Sequence, residues 1–202
     1  MYAKICSIRT LITVSIGVLA LTPLLVFIFI KSSAQTNQPI PIKTTVHASS
    51  SQPILASLPI SLIIPQIKVD SAIEYLGITA NGEMATTKDP STVAWYDLGQ
   101  RPGDVGSAVI AGHFGWKNNL PAAFDHLNKL QKGDSIYIKD VKGVTITFIV
   151  SELRIFGKTD DAKTVFSSSD GKAHLNLITC EGVWNNASRS YSGRLVVFSD
   201  KQ

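Results

Sequence analysis

A cysteine in the last quarter of the chain is the first residue whose type and position could do chemistry. Cys180 follows residues 173–179, whose apolar pattern predicts a strand, and Glu181 and Gly182 then begin a loop. A thiol at the end of a strand, beside a loop, is well placed to meet a ligand. Free cysteines are also often buried as small apolar residues. The local pattern leaves both interpretations open.

A thiol nucleophile needs a base or a cation beside it, because only the thiolate attacks and a free cysteine titrates at about pH 8.5. His174 precedes Cys180 by six residues on the same predicted strand, roughly 20 Å away at ~3.3 Å per residue, and cannot reach the thiol. His126 falls on the solvated face of a predicted short helix. His113 ends an apolar strand in a glycine-bounded loop and is the best candidate, although a surface histidine fits this pattern too.

Acyl-transfer chemistry also needs a group that stabilises a developing oxyanion. Arg194 opens a predicted strand 14 residues after Cys180, one hairpin away. Two neighbouring antiparallel strands would bring these side chains together. Taken alone, Arg194 is an ordinary arginine at a strand edge. Arg189, within the connecting loop, is the less regular candidate.

The N-terminal region predicts a membrane anchor. Residues 11–30 contain no charge and are about long enough to cross a ~30 Å hydrocarbon core as a helix. Lys4 and Arg9 precede this run and Lys31 follows it, which slightly favours an N-terminus inside the cell. The alternative is a cleaved signal peptide, since residues 32–34 resemble a cleavage site, but the apolar core of such a peptide is usually only about 7–15 residues.

The chain then divides into an anchor at 1–31, a flexible stalk at 32–57 and one domain at 58–202. The stalk is rich in Ser, Thr, Gln and Pro and cannot bury enough apolar surface to fold by itself. We therefore expect the domain outside the cytoplasm. The only other cysteine, Cys6, precedes the anchor, so Cys180 has no disulfide partner in the domain. A lone thiol in such a protein indicates intermolecular pairing, reactivity or chance.

The domain predicts many short strands and few helices, and therefore a β-barrel or β-sandwich of about 145 residues. Asn81 and Gly82 predict a turn, and residues 121–130 predict one short helix. In the strand before Cys180, Leu175 and Leu177 fall on one face and Ile178 on the other, with Cys180. The predicted strands are 60–67, 72–76, 108–111, 135–138, 144–153, 173–179 and 195–199.

Charge and metal-ligand patterns exclude other classes. The net charge of +4 comes from scattered residues with no dense basic cluster, so we expect no nucleic-acid partner. One cysteine and three dispersed histidines in the domain show no metal-ligand spacing, and no acidic loop typical of calcium sites is present in the sequence. We expect neither a metal nor a cofactor.

Three motifs together resemble the sortase family. The family carries a strand ending in Thr-Leu-x-Thr-Cys, an earlier strand ending in His after an apolar-Gly approach, and an Arg on the strand after the Cys. This chain reads LITC at 177–180, VIAGH at 109–113 and GRLVVF at 193–198. Residues 95–116 are most similar to the class E and F branches. One departure is Asn176, where the family motif has its first Thr.

The resemblance implies a closed eight-stranded barrel with one or two short helices, preceded by an N-terminal transmembrane helix. It implies a cysteine transpeptidase that cleaves a sorting signal similar to Leu-Pro-x-Thr-Gly between Thr and Gly. Cys180 would be the nucleophile, His113 the proton-transfer group and Arg194 the oxyanion or substrate-positioning group. The implied partners are proteins with such a C-terminal signal and an amine acceptor, either a peptidoglycan precursor or a pilin lysine. The implied location is the cell membrane, with the catalytic domain outside.

Two other function classes fit parts of the sequence. A papain-like hydrolase would place its Cys early, at a helix start, with His after it, whereas here His113 precedes Cys180. A non-catalytic, membrane-tethered β-domain that binds a cell-wall polymer or a protein would leave Cys180, His113 and Arg194 unrelated. The reactivity of Cys180 toward alkylation separates these alternatives, because a buried structural thiol reacts slowly.

Overall fold

The computed structural model describes residues 57–115 and 120–202. The predicted anchor and all but the last residue of the predicted stalk lie outside the described residues. No helix among the described residues is long and apolar enough to cross a membrane.

The described residues form eight strands that close into one barrel, in the order β1-β2-β3-β4-β7-β8-β6-β5 and back to β1. The β2–β3 and β4–β7 pairs are parallel, and the others are antiparallel. The barrel implied by the resemblance is therefore confirmed, and a sandwich is excluded. The strands are β1 Pro59–Ile64, β2 Val69–Leu76, β3 Val93–Tyr96, β4 Gly106–Gly112, β5 Ser135–Asp140, β6 Thr145–Gly157, β7 Ala173–Asn185 and β8 Ser190–Lys201.

Seven of these strands overlap the seven predicted ones, and β3 was not predicted. β3 has only four residues, and its first three are buried, so it shows no alternation between apolar and polar positions. Pro65 also shortens the first predicted strand, because a 3-10 helix at Pro65–Ile67 replaces its end. The predicted turn at Gly82 is present, with φ of 76° and its N–H bonded to the Thr79 carbonyl.

The prediction of a helix over 121–130 was wrong in extent and type. Only Leu127–Lys129 is helical, and it is a 3-10 helix. The Asp125 carboxylate accepts hydrogen bonds from the backbone N–H groups of Gly115 and Ala122, and the Phe124 N–H donates to the His113 carbonyl. These bonds hold the backbone in turns beside the His113 loop. A short α-helix that the sequence did not predict, α1, lies at Lys163–Phe166 between β6 and β7.

Apolar residues pack in two separate layers. The larger cluster fills the barrel and includes Leu175 and Leu177 of β7. The smaller one lies on the other face of the same strands, where Ile178 packs with Val165 of α1 and Val196 of β8. The predicted division of β7 between two faces is therefore confirmed. Because α1 covers this outer face, polar groups on it can be buried without entering the core.

Candidate active site

Three strands bring the three candidate residues into one row. Cys180 on β7 pairs directly with Arg194 on β8. On the other side, β4 runs parallel to β7 up to the pair Ala111 and Ile178, two residues before His113 and Cys180. Neighbouring strands lie about 4.8 Å apart. His113, directly after β4, therefore lies beside Cys180 on β7, which lies beside Arg194 on β8. We call these three residues the reactive row.

All three positions lie on the outer face of the barrel. Ile178 and Val196 belong to the outer apolar cluster, and Cys180 and Arg194 are each two residues away along the same strands. Side chains alternate between faces, so these two share the outer face. The Thr179 hydroxyl donates to the Gly112 carbonyl at 2.9 Å and ties together the residues that precede Cys180 and His113. The spacing of the row thus depends on backbone contacts.

The reactive row is largely shielded from water. Cys180 is 8% exposed, and His113 and Arg194 are each 5% exposed. Hydrogen bonds and charges act more strongly in such low-dielectric surroundings than in water. A charge that develops here is therefore strongly affected by its neighbours.

His113 is held by a backbone carbonyl. Its Nε2 lies 2.9 Å from the Thr87 carbonyl oxygen, which can only accept, so Nε2 carries the hydrogen. In the neutral ring Nδ1 then has a lone pair that can take a proton. Burial lowers the pKa of His113, while the Thr87 carbonyl and the nearby Asp89 carboxylate oppose this effect. The net effect lowers the pKa and favours the neutral ring.

A hydrogen-bonded turn between β2 and β3 positions the Thr87 carbonyl. The Thr87 hydroxyl donates to the carbonyls of Asp89 and Thr92, at 2.9 and 3.1 Å. The Asp89 carboxylate accepts hydrogen bonds from the Ser91 N–H and hydroxyl, at 2.8 and 2.7 Å. Sequence reasoning missed this support for His113. The polar residues of the turn were its only signal, and the direct contact comes from a backbone oxygen that residue types do not encode.

Arg194 retains a hydrogen-bond donor for a ligand. One of its terminal nitrogens donates to the Gly193 carbonyl, but its Nε is buried and has no partner among residues 57–115 and 120–202. No carboxylate in that part of the chain forms an ion pair with it. An unpaired buried donor costs about 1–3 kcal/mol, and such groups often mark functional sites. An oxygen that gains negative charge during a reaction would satisfy this donor.

The strand bends directly after the candidate nucleophile. Glu181 pairs with Gly193, but the next pair is Trp184 with Tyr191, so β7 carries one extra residue there. Gly182 sits in this bulge with φ of 90°, and a Cβ on it would clash with the Ser192 hydroxyl. Bulges of this kind often re-aim side chains next to active sites.

Aromatic side chains pack beside the reactive row. Tyr191 contacts Trp184 and Phe114 edge-on, with ring centroids 5.1 and 5.6 Å apart, and Phe114 directly follows His113. The Trp184 ring also donates its Nε1 hydrogen to Asn186. Trp184 thus packs against Tyr191 while 39% of it stays exposed.

The other candidates lie elsewhere. His174 hydrogen-bonds to Asp170 and Asp200, and His126 is exposed next to the 3-10 helix. Arg189 is exposed in the β7–β8 loop, with φ of 47°. Within the described part of the chain, no three His, Cys, Asp or Glu side chains come together as a metal site.

The Sortase domain family model matches residues 62–202. This chain belongs to the sortase family. Sortases are cysteine transpeptidases, and in this sortase the match covers every strand from β2 to β8 and half of β1.

Solved structures agree with the family assignment. The lid mutant of sortase A from Corynebacterium diphtheriae is 26% identical, with a TM-score of 0.57, and the match covers 72% of this chain and 70% of that one. Another structure of sortase A from Corynebacterium diphtheriae is 26% identical, with a TM-score of 0.55, and the match covers 72% of this chain and 60% of that one. Sortase C1 from Streptococcus agalactiae, in its complex with MTSET, is 24% identical with a TM-score of 0.56, and the match covers 71% of this chain and 66% of that one. That last likeness shows the fold alone.

None of the curated protein sequences is similar enough to this sortase to count as a match. The structural relatives named above are sortases A and C. The similarity to classes E and F stays a prediction.

Proposed function

We propose that this sortase is a membrane-anchored transpeptidase that cleaves a signal similar to Leu-Pro-x-Thr-Gly between Thr and Gly and joins the Thr carbonyl to an amine. The observation that supports this most directly is the reactive row, in which Cys180 lies between His113 and Arg194. β4, β7 and β8 bring these three residues together on one buried face.

In the first step, Cys180 attacks the Thr carbonyl of the signal. Its thiol proton moves to Nδ1 of His113, and the thiolate sulfur bonds to the carbonyl carbon. The carbonyl oxygen becomes an oxyanion, which the unpaired Nε–H of Arg194 stabilises. Loss of one such donor typically costs about 10²–10³ in rate.

In the second step, the Thr–Gly bond breaks and His113 gives its proton to the departing Gly amine. A thioester between the Thr carbonyl and Cys180 remains. An incoming amine then attacks this thioester and loses a proton to His113, which passes it to the departing Cys180 sulfur and restores the thiol. The Thr87 carbonyl keeps the ring in one orientation through both transfers. Water in place of the amine makes the enzyme a slow protease.

The substrates and location follow from the same proposal. The donors are proteins with a C-terminal sorting signal, and the acceptor is an amine of a peptidoglycan precursor or a pilin lysine. The uncharged run at residues 11–30 supports a single anchor in the cell membrane, with the catalytic domain outside. Cys180 would then work where its substrates are exported.

The full-length protein in detergent tests this proposal. It is incubated with a library of Leu-x-x-Thr-Gly-type peptides and a small amine, and followed by intact-protein mass spectrometry. We expect a thioacyl adduct on Cys180 and an amine-exchanged product, and neither with Cys180→Ala. If no peptide forms an adduct and Cys180 also resists alkylation, the protein is instead a non-catalytic, tethered β-domain.

A further inference from the structure

The outer face that carries the reactive row continues away from it in regular steps. β4, β7 and β8 stay in register, so each step of two residues brings three more side chains to the same face. The successive sets are Ala111, Ile178 and Val196; then Val109, Asn176 and Phe198; then Ser107, His174 and Asp200. The face thus changes from apolar beside Cys180 to polar at its far end.

A cavity of about 460 Å³ lies at this polar end. Its wall comes from β4, β6, β7, β8, α1 and the segment after α1, and hydroxyl groups and carboxylates are frequent in it. Asn176 lies roughly 13 Å from Cys180 along β7, and His174 roughly 20 Å, at ~3.3 Å per residue. We call this space the polar cavity.

The polar cavity has an excess of negative charge. Glu152, Asp170 and Asp200 line it, with side chains about half exposed. The two cationic groups in its wall are already engaged, since Arg154 forms a fork with Glu152, and His174 bonds both ring nitrogens to Asp170 and Asp200. A carboxylate has about four acceptor positions. Acceptors therefore remain open in the wall.

A buried side chain at the polar cavity also has an acceptor atom that lacks a hydrogen-bond donor. Asn176 is 1% exposed and lines the cavity, and its Nδ2 donates to the Val165 carbonyl at 2.6 Å. Its Oδ1 accepts no hydrogen bond from the described residues. The only other buried side-chain nitrogen or oxygen in the described part of the chain without a partner is Arg194 Nε. Both unpaired atoms belong to the same outer face, one in the reactive row and one beside the polar cavity.

The proposed reaction sets the direction of the peptide on this face. The departing amine must lie beside His113 and the carbonyl oxygen beside Arg194. Because the carbonyl carbon points its nitrogen toward His113, the part of the substrate before the scissile bond leaves this carbon on the opposite side of Cys180, which is the side of β8. An extended peptide covers ~3.3 Å per residue, so about four to six residues separate the attacked carbonyl from the polar cavity.

We propose that the polar cavity is a subsite for a lysine or arginine side chain of the donor protein, directly upstream of the five-residue sorting signal. An ammonium or guanidinium group brings only donors and a positive charge. Those are what the three carboxylates and Asn176 Oδ1 accept. This subsite rests on the proposed function, since it uses the same nucleophile and the same peptide direction.

The test uses full-length protein and one sorting-signal peptide with Lys, Ala or Glu placed in turn five, six and seven residues before the scissile bond. We expect Lys to raise kcat/KM about threefold to fivefold over Ala at one of these positions, and Glu to lower it, as for one partly exposed ion pair. The gain should appear in KM and shrink as salt rises.

Asp200→Asn keeps an acceptor for His174 but removes the charge, so it should reduce the ratio of kcat/KM for the Lys peptide to kcat/KM for the Ala peptide. The matched control is Asp134→Asn, in the turn before β5, which should keep the preference. Equal kcat/KM for Lys, Ala and Glu at all positions, or an equal loss for all peptides in Asp200→Asn, would overturn the subsite alone. If no peptide acylates Cys180, the proposed function fails, and the subsite with it.

Discussion

The inside and the outside of this barrel differ in the kinds of side chain that they bury. The interior cluster consists of apolar side chains such as Leu62, Ile110 and Leu177, all fully buried. The outer face buries apolar residues too, but it also buries His113, Asn176 and Arg194 among them. The interior therefore specifies the fold, while the outer face holds polar groups at a cost in stability. That contrast indicates where function lies, and substitutions on the two faces should separate it.

Replacing the nucleophile should have the largest effect on activity and almost none on the fold. Cys180→Ala removes only one sulfur from the outer face, so we expect no detectable transpeptidation and a free energy of unfolding within about 1 kcal/mol of wild type. Peptide turnover and chemical denaturation measure the two quantities. Residual turnover that survives this substitution would show that Cys180 is not the nucleophile.

Substitution of the two residues that flank Cys180 should have the next largest effect on activity. His113→Ala and Arg194→Ala should each lower kcat/KM by about 10²–10³, through loss of proton transfer and of oxyanion stabilisation respectively. His126→Ala is the control and should leave the rate unchanged. Full activity in His113→Ala would remove that residue from the mechanism.

An interior substitution should give the reverse pattern. Leu177→Ala leaves a cavity in the fully buried core and should cost about 2–5 kcal/mol of stability. The kcat/KM of the protein that remains folded should stay near wild type. Denaturant unfolding and turnover at low temperature check both points. A loss of activity without a loss of stability would contradict the division between the two faces.

Two histidines on the outer face should respond to pH with opposite signs. Burial lowers the pKa of His174, but its hydrogen bonds to Asp170 and Asp200 outweigh burial and raise it overall. Its contribution to stability is then fully present below the unfolded pKa of about 6.5 and is lost as pH rises through the raised folded value. The Tm difference between wild type and His174→Gln should therefore be largest in acid and vanish in alkaline solution. A difference that grows with pH would reverse the assigned sign.

His113 should oppose stability in acid, because burial lowers its pKa and the unfolded chain then binds more protons than the folded one.

Asp89→Asn should have the smallest effect on activity of the substitutions considered. It removes a carboxylate that raises the pKa of His113, so this pKa should fall further. If the free enzyme requires neutral His113, the acid limb of kcat/KM moves to lower pH, while the maximal rate changes little. Ser91→Ala is the control that disturbs the same turn without removing a charge. An unchanged profile in Asp89→Asn would show that Asp89 only caps the turn.

The sequence predicts the three residues of the reactive row, but it does not predict the groups around them. Cys180 and Arg194 are separated by one hairpin, and short-range spacing is enough to pair them. His113 emerges by exclusion of His126 and His174. The Thr87 turn and the polar cavity could not be predicted in this way. The first acts through a carbonyl, and the second is assembled from β6, β8 and the segment after α1, whose proximity depends on closure of the barrel.

The parallel pairing of β4 with β7 also governs when the site can exist. These strands are neighbours in space, but β5, β6 and α1 lie between them in the chain, and β8 is synthesised after β7. Loops this long make such pairings slow to form. A chain emerging from the ribosome therefore carries Cys180 before β8 has supplied Arg194 and before the barrel has closed. The reactive row is therefore complete only once β8 has paired with β7 and the barrel has closed.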